Sequence, residues 1–545
     1  MKCSIHQSPT GNRLTDAQLF SFADVAHLYD EQNPISPETY RKRAEMITPY
    51  FDDAHRQQLV EAIEAYGQRI GVSPAQKAAT ARLRDPRSVA VVTGQQAGLF
   101  TGPFYSISKA LSAVGVAREL ERELERPVVA VFWVASEDHD FAEVDHAYFL
   151  SHQQTTQRVQ LKHAFDSHQM VYSAPLDHSQ IQYVLQVIQD DLPDHTYKAE
   201  MLQTLADCWQ TGDSLAVWFA RLMSVLLQNQ PIVIVDPCLP ALRQLVGPVF
   251  ARTLQNFDVL QAKLQDAYDE VAEAGFEPEV IRDAAHSTVF HVVDGKRYVL
   301  ERREGGHFTA RGYGLDLDEA AWIRMAMEEP ERFSSNVLLR PVIQDHLLPT
   351  LAYVGGPSEI AYHTLSRAVF HTHERLLPPL IMRQRFRIAG PGVARAMKQW
   401  DISFEDVRQP VDLVATRLLQ DFSSALSAKV AGMKELVHHQ LSELADDFAV
   451  YGPQVAEMVG RQGKEHESLL TRLESKIYRL AEQRHIADVQ QLRRIQHWFW
   501  TDGHEQERRL CPLNIWAELG QVWFESLPAW GNYRQPAPYL ELSVE

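Results

Sequence analysis

Residues 88–109 contain a short apolar run that passes directly into a glycine-rich loop and then into a helical segment. The run is rich in valine, which favours a strand, and the loop carries Gly94, Gly98 and Gly102. Pro103 suits the first turn of a helix, where its missing N–H is not needed. A strand, a glycine turn and a helix N-terminus can together hold an anion, although the spacing matches neither common nucleotide-binding fingerprint.

Composition limits the classes of protein to which this chain can belong. Of its 545 residues, 45% are hydrophobic and 23% are charged, which is typical of a globular protein of several domains. The net charge of −18 argues against a nucleic-acid-binding surface. The four cysteines form no CxxC pair, so we expect no disulfide framework and no zinc site. We also expect a cytoplasmic protein, because neither a signal peptide nor a membrane span is evident.

Five apolar runs, mostly separated by helical segments, predict a doubly wound α/β core with a parallel sheet. They begin near residue 88 and cover 128–134, 231–236, 350–356 and 378–386. Between them, partly alternating segments predict two β-rich insertions, and Asp294-Gly295 is a good hairpin turn. Beyond residue 392 the strands stop, and short heptad stripes on two long helices predict an antiparallel coiled coil.

These patterns divide the chain into eight segments. They are an N-terminal helical layer (1–85), the first part of the core (86–142), an inserted connecting segment (143–205), more core (206–256), a second inserted segment (257–335), the last part of the core (336–392), long helices with the coiled coil (393–510), and a C-terminal segment that docks on the body (511–545).

The first candidate site is the glycine-rich loop itself. Open α/β sheets bind ligands outside the carboxyl ends of their strands, and this loop follows the first strand. The candidate binding residues are Gly94, Gln95, Gln96, Gly98, Thr101 and Gly102. The alternative is a tight structural turn whose glycines only permit close packing. Lys109, further along, suits a solvated lysine at least as well as a phosphate contact.

The second candidate is the acidic turn after the strand 128–134. Glu137, Asp138 and His139 are the candidate catalytic residues, because carboxylates crowded beside an imidazole could orient an amine or raise the proton affinity of a base. A solvated acidic turn that caps the next helix is the alternative. Trp133, just before it, is either a pocket wall or part of the core.

Two further groups of polar residues lie near the fourth and fifth strands. Gly355 and Gly356 allow close backbone approach, and Glu359 or Tyr362 could face a ligand, unless the segment is only a helix start. Arg340 and Arg383 could pair with phosphate, or could instead be ion-paired within the protein. The remaining polar candidates are Asn336, Gln344, Asp345, Arg385 and Arg387. The pair His371 and His373 could coordinate a metal, but a surface position is favoured for these two histidines.

Three motifs carry a resemblance to a known family: TGQQAGLFTGPFYSISKA (93–110), VFWVASEDHDFAEV (131–144) and NVLLRPVIQDHLLPTLAYVGGPSEIAYH (336–363). With the trailing long helices, they resemble the BshC family, named as the cysteine ligases of bacillithiol biosynthesis. The resemblance covers essentially the whole chain in the same order. It implies the last pathway step, in which cysteine is joined to glucosaminyl-malate (GlcN-Mal) to give bacillithiol.

The resemblance also implies a Rossmann-like core similar to that of class I aminoacyl-tRNA synthetases. ATP is then the expected cofactor, although neither a HIGH tetrad in 93–110 nor a KMSKS loop after Phe386 is present. Cysteine and GlcN-Mal are the expected partners, no metal is expected, and the long helices suggest a homodimer. The alternatives are a non-catalytic coiled-coil partner of another pathway enzyme and a nucleotidylyltransferase with another substrate.

Overall fold

The computed structural model describes residues 2–162, 165–281, 283–408, 420–484, 486–527, 535 and 538–544. These residues form two compact units, which are described separately below. The larger comprises Lys2–Arg387 and Gln506–Leu542, and the smaller consists mainly of Ile388–Glu505. Parts of the predicted segments 393–510 and 511–545 lie outside the described residues.

A five-stranded parallel sheet forms the centre of the larger unit. In chain order, its first to fifth core strands are Val89–Gln95, Val128–Val134, Ile232–Val235, Thr350–Gly355 and Leu380–Met382. They lie in the order third, second, first, fourth, fifth, and every neighbouring pair is parallel. This is the strand order of a Rossmann-type sheet, so the predicted doubly wound α/β core is confirmed. The strand order reverses between the first and fourth strands.

Helices pack around this sheet. Asp53–Ile70 illustrates their local signals: the Asp52 side chain accepts a hydrogen bond from the N–H of His55, and Gly71 ends the helix in the left-handed conformation. The helices of the larger unit are Arg13–Phe20, Phe22–Val25, Pro37–Ile47, Asp53–Ile70, Pro74–Ala81, Tyr105–Leu124, Phe141–Val144, His178–Asp191, Lys198–Asp207, Leu215–Leu226, Pro240–Gln255, Phe257–Glu273, Glu319–Glu328, Arg340–Leu347, Pro357–Thr372, Gln506–Arg509, Leu513–Leu519 and Gln521–Glu525.

The first core strand is longer than its sequence suggests. Gly94 and Gln95 were expected in the loop, but they continue the strand opposite Trp133 and Val134. The reason is steric: a Cβ on Gly94 would lie only 2.7 Å from the carbonyl oxygen of Trp133, so only glycine permits this pairing. The following helix begins at Tyr105, after a short 3₁₀ turn.

Both insertions contain β-structure, as predicted. The first forms a hairpin of His146–Leu150 and Thr156–Gln160. The second forms a five-stranded antiparallel sheet, in which the predicted turn at Asp294-Gly295 has positive φ at both residues. Its strands, in spatial order, are Asp316–Asp318, His307–Ala310, Lys296–Arg302, His286–Val293 and Phe333–Ser335.

The predicted fifth strand over 378–386 is wrong as a single element. Only Leu380–Met382 joins the core sheet, and Arg385–Ala389 belongs to a separate sheet with Lys2–Gln7 and Pro538–Ser543. The interruption falls at Gln384, whose backbone N–H donates to the Ser112 hydroxyl, 2.9 Å away, instead of to a neighbouring strand.

The smaller unit contains the predicted antiparallel coiled coil. Gln420–Asp447 and Gln454–Arg484 pack along each other, with Ser427 donating to Glu474 at 2.6 Å and Lys434 donating to Thr471 at 2.9 Å. The other elements of this unit are the helices Pro391–Gln399 and Ile486–Phe499 and the short strands Trp500–Thr501 and His504–Glu505. Among the residues described, no helix is both long enough and apolar enough to cross a membrane.

The close contact at Gly94 gives a stability prediction. Gly94→Ala should lower the free energy of unfolding by about 1–3 kcal/mol, because the new methyl group must displace the neighbouring strand. Urea unfolding followed by circular dichroism measures the change. Gly432→Ala is the matched control, since a Cβ there would meet no atom within 4 Å. Equal unfolding midpoints for Gly94→Ala and the wild-type protein would contradict this account.

Candidate active site

A cavity of about 380 Å³ opens where the strand order of the core sheet reverses. The first, second and fourth core strands all end at it, which is where open α/β sheets bind ligands. Eleven of the residues predicted from the sequence line it: Gly94, Gln95, Gln96, Glu137, Asp138, Asn336, Arg340, Gly356, Glu359, Tyr362 and Arg383.

Six other residues predicted for binding or catalysis do not line this cavity: Gly98, Thr101, Gly102, Trp133, His139 and Gly355. The polar candidates Gln344, Asp345, Arg385, Arg387, His371 and His373 do not line it either. Trp133 belongs to the core, with only 1% of its surface exposed. A Cβ on Gly98 would lie 2.9 Å from the Cα of Gly102, so beyond Gln96 the glycine-rich loop packs against itself. Gly98 and Gly102 therefore fit the alternative interpretation, a tight structural turn whose glycines permit close packing.

The cationic wall of the cavity is built around Lys109. This lysine is 3% exposed rather than solvated, which corrects the sequence expectation. Its Nζ donates to the Gly94 carbonyl at 2.8 Å and to Gln95 Oε1 at 2.7 Å, and it forms an ion pair with Glu359. Burial lowers the pKa of Lys109, while Glu359 partly offsets that effect.

Glu359 joins this wall to the fourth core strand. Its carboxylate accepts hydrogen bonds from the Tyr353 hydroxyl at 2.7 Å and from the Gly356 N–H at 2.8 Å. Burial alone would raise its pKa, but Lys109 and then Arg340 favour the charged form and lower the pKa to about 2. Glu359 is therefore both a helix cap and the counterion of a buried lysine.

Arg340 carries an unsatisfied donor beside the cavity. Its Nη2 donates to the Tyr362 hydroxyl. Its buried Nε has no hydrogen-bond partner among the described residues. A buried donor without a partner is costly, and an anion in the cavity would relieve that cost.

The acidic turn is held by two arginines rather than by solvent. Glu137 is 4% exposed and accepts hydrogen bonds from Arg243 Nη2 and from the Ser335 hydroxyl, both at 2.7 Å. Burial would raise its pKa, but Arg243, Ser335 and Arg297 together outweigh burial and the pKa is lowered. Asp138 accepts hydrogen bonds from Arg297 Nη2 and from Gln96 Nε2, both at 2.8 Å.

His139 is not among the residues that line the cavity. Its Nδ1 accepts a hydrogen bond from Arg297 Nε at 2.7 Å, which places the proton of the neutral ring on Nε2. Its ring stacks at 6.4 Å on that of His168. In this arrangement neither ring nitrogen presents a free lone pair, and the role of a base predicted for His139 has no geometric support.

The other arginines and histidines predicted from the sequence have structural partners. Arg383 forms a buried ion pair at 2.7 Å with Glu507, from the helix Gln506–Arg509, while Arg387 pairs with Glu541 at 3.1 Å. The expected surface position is wrong for His373, which is buried and bonds Thr253, whereas the His371 side chain is 32% exposed and bonds Asp30. Burial lowers the pKa of His373 to about 3.

Comparison with known proteins assigns the family. The profile described as "Bacillithiol biosynthesis BshC, N-terminal Rossmann-like domain" matches residues 1–384, and that for the "C-terminal coiled-coil domain" matches residues 387–530. The chain belongs to the BshC family. The sequence resemblance is thus confirmed over almost the whole chain.

Several relatives of this BshC-family chain carry the name "Putative cysteine ligase BshC". The relative from Symbiobacterium thermophilum is 32% identical over 86% of this chain and 86% of its own length. That from Bacillus cytotoxicus is 29% identical, over 83% of this chain and 84% of its own. That from Chlorobaculum tepidum is also 29% identical, over 84% and 83%.

Several lining residues of the BshC-family site were missed from the sequence. Lys109 had a usable signal, because it is the only charged residue between Tyr105 and Ala117, which leaves no polar helix face around it. Five other lining residues lie inside the motifs that carry the resemblance, or directly beside one, and were passed over there: Tyr105, Glu143, Ser335, Val337 and Ser358. Arg297 and Arg508, with Arg243 behind the wall, come from other parts of the chain, so no local pattern indicates them.

The Lys109–Glu359 pair gives a second prediction. Glu359→Gln should lower the free energy of unfolding by about 3–5 kcal/mol, because it leaves Lys109 buried without its counterion. Glu359 has a pKa of about 2 in the folded protein, below its ordinary value. The stabilisation is therefore complete above the ordinary carboxyl range and disappears as the pH falls towards 2.

Urea unfolding at a series of pH values measures this effect. The double variant Lys109→Met/Glu359→Gln is the matched control, and it should recover part of the loss because no unpaired charge remains. A Glu359→Gln variant as stable as the wild-type protein at neutral pH would show that the pair contributes nothing.

Proposed function

We propose that this protein joins the carboxyl group of cysteine to the amine of GlcN-Mal, forming bacillithiol, and that ATP activates the carboxyl group. The cavity at the reversal of the strand order, lined by five cationic and four acidic side chains in a family of named cysteine ligases, is the observation that carries the proposal. Its volume of about 380 Å³ lies in the range of small-molecule sites.

The cationic wall suits the anionic groups of the substrates. Arg340 has its buried, unpartnered Nε, and Arg508 contributes an exposed guanidinium. The helix Pro357–Thr372 begins beside them, and its N-terminal dipole favours negative charge. A phosphate group or the carboxylates of the malate would be held here, so the residues present fit ATP as well as GlcN-Mal.

The acidic wall suits the amine. Asp138 and Glu143 both accept a hydrogen bond from Gln96, at 2.8 and 2.6 Å, so the two carboxylates lie close together at one side of the cavity. An ammonium group is attracted there, opposite the cationic wall. ATP would supply a leaving group on the carboxyl carbon, and the two walls would align that carbon with the amine, which accelerates the reaction by proximity.

An assay with the purified protein tests this proposal. Incubation with GlcN-Mal, cysteine and ATP should yield bacillithiol, detected by mass spectrometry of the derivatised thiol, and omitting ATP should abolish it. If no bacillithiol forms although deletion of the gene removes bacillithiol from cells, the direct ligase is wrong and a non-catalytic role in the pathway replaces it.

Arg340→Gln tests the assignment of the cationic wall. Loss of a charge-assisted hydrogen bond costs about 1.5–3 kcal/mol, so the KM for GlcN-Mal or ATP should rise about 10- to 100-fold. The control is Arg84→Gln, since Arg84 pairs with Glu64 at the surface and should leave the kinetics unchanged. Unchanged KM values in Arg340→Gln would remove this residue from the binding site.

We further propose that a second copy of the chain covers the apolar side chains along the two long helices. These include Met433, Leu436, Leu444, Phe448, Met458, Leu469, Leu473 and Leu480, all of them exposed. Light scattering during size exclusion should give the mass of a dimer, and Leu436→Glu, which places a charge among these side chains, should give a monomer. A monomeric wild-type protein would contradict the dimer.

A further inference from the structure

The four carboxylates that line the cavity differ in their partners. Three of them have a cationic partner: Glu137 has Arg243, Asp138 has Arg297 and Glu359 has Lys109. Glu143 forms no ion pair with any described residue. A carboxylate held by a cation is a weaker proton acceptor, because protonation would leave that cation unpaired. Of the four lining carboxylates, Glu143 alone is not weakened as a proton acceptor by a cationic partner.

The fold holds Glu143 at the mouth of the cavity. It lies in the short helix Phe141–Val144, whose first turn is capped by Asp140, the acceptor of the Ala142 N–H at 3.1 Å. Gln96 Nε2 donates to Glu143 Oε2 at 2.6 Å and so fixes one oxygen of the carboxylate. The other oxygen is left for a ligand, and the side chain is exposed to solvent.

We propose that Glu143 is the general base that removes a proton from the acceptor amine. This inference rests on the proposed function and replaces the predicted role of His139, whose Nδ1 is occupied by Arg297. Gln96 is then a positioning residue, since it orients the carboxylate through one hydrogen bond and ties it to Asp138 through another.

An ammonium group transfers one proton to Glu143, which becomes a neutral carboxylic acid, and the nitrogen regains its lone pair. That pair forms the C–N bond to the activated carboxyl carbon, whose bond to its leaving group breaks, and the leaving group departs with the bonding electrons. The nitrogen loses its second proton to water as the amide forms, and Glu143 returns its own proton to solvent.

Glu143→Gln tests the proposal in the bacillithiol assay. General base catalysis contributes about 10²–10⁴-fold, so kcat at neutral pH should fall by at least about 100-fold. The KM for cysteine should stay within about twofold, since Glu143 acts on the other substrate. The deficit should shrink at least tenfold between pH 7 and pH 9, because more of the amine is then free without a base. Glu143→Asp, which keeps the carboxylate, should retain more activity than Glu143→Gln at neutral pH.

The matched control is Glu45→Gln, which removes an exposed carboxylate far along the chain from the cavity motifs and should not change kcat. Circular dichroism and thermal melting check that every variant folds. If the wild-type protein makes no bacillithiol, the proposed function fails. If it does, and Glu143→Gln keeps its rate or loses the same factor at every pH, Glu143 is not the base although the ligase assignment stands.

Discussion

The buried carboxylate of Glu359 is the interaction on which the rest of the site depends. It contacts the lysine of the helix after the first core strand, the tyrosine of the fourth strand and the backbone at the start of the next helix. These are the elements that flank the reversal of the strand order. A charge removed from water is costly unless every lone pair finds a donor, and here the donors come from both sides of the crevice.

The second inserted segment and the core helix Pro240–Gln255 act in the same way on the acidic turn. A run of carboxylates at the end of one strand would repel itself, and two arginines from other parts of the chain remove that repulsion. The guanidinium of Arg297 also lies 4.4 Å over the ring of Phe290, which belongs to the same antiparallel sheet. That sheet therefore helps to position the guanidinium against the acidic turn. The second insertion is therefore part of the wall of the cavity.

More of the fold than of the site could be predicted from the sequence. Valine-rich strands, glycine turns and heptads are local patterns, and they indicated the core sheet, the insertions and the long helices. Pairing partners are not local, which is why a solvated Lys109 stayed open beside a phosphate contact and His139 was interpreted as a base. The split of the fifth strand was missed for the same reason, since the hydroxyl that interrupts it belongs to Ser112, on a helix far back in the chain.

Arg383 in the wall of the cavity takes its counterion from Glu507, and the adjacent Arg508 completes the lining. Both follow the whole coiled coil in the chain, whereas the first core strand precedes it. At about 5–20 residues per second, that strand leaves the ribosome on the order of tens of seconds before Glu507 is made. Once Arg383 has been made, the Rossmann core can form while this buried cation still lacks its counterion. The lining of the cavity is therefore complete only in chains whose synthesis has passed the coiled coil.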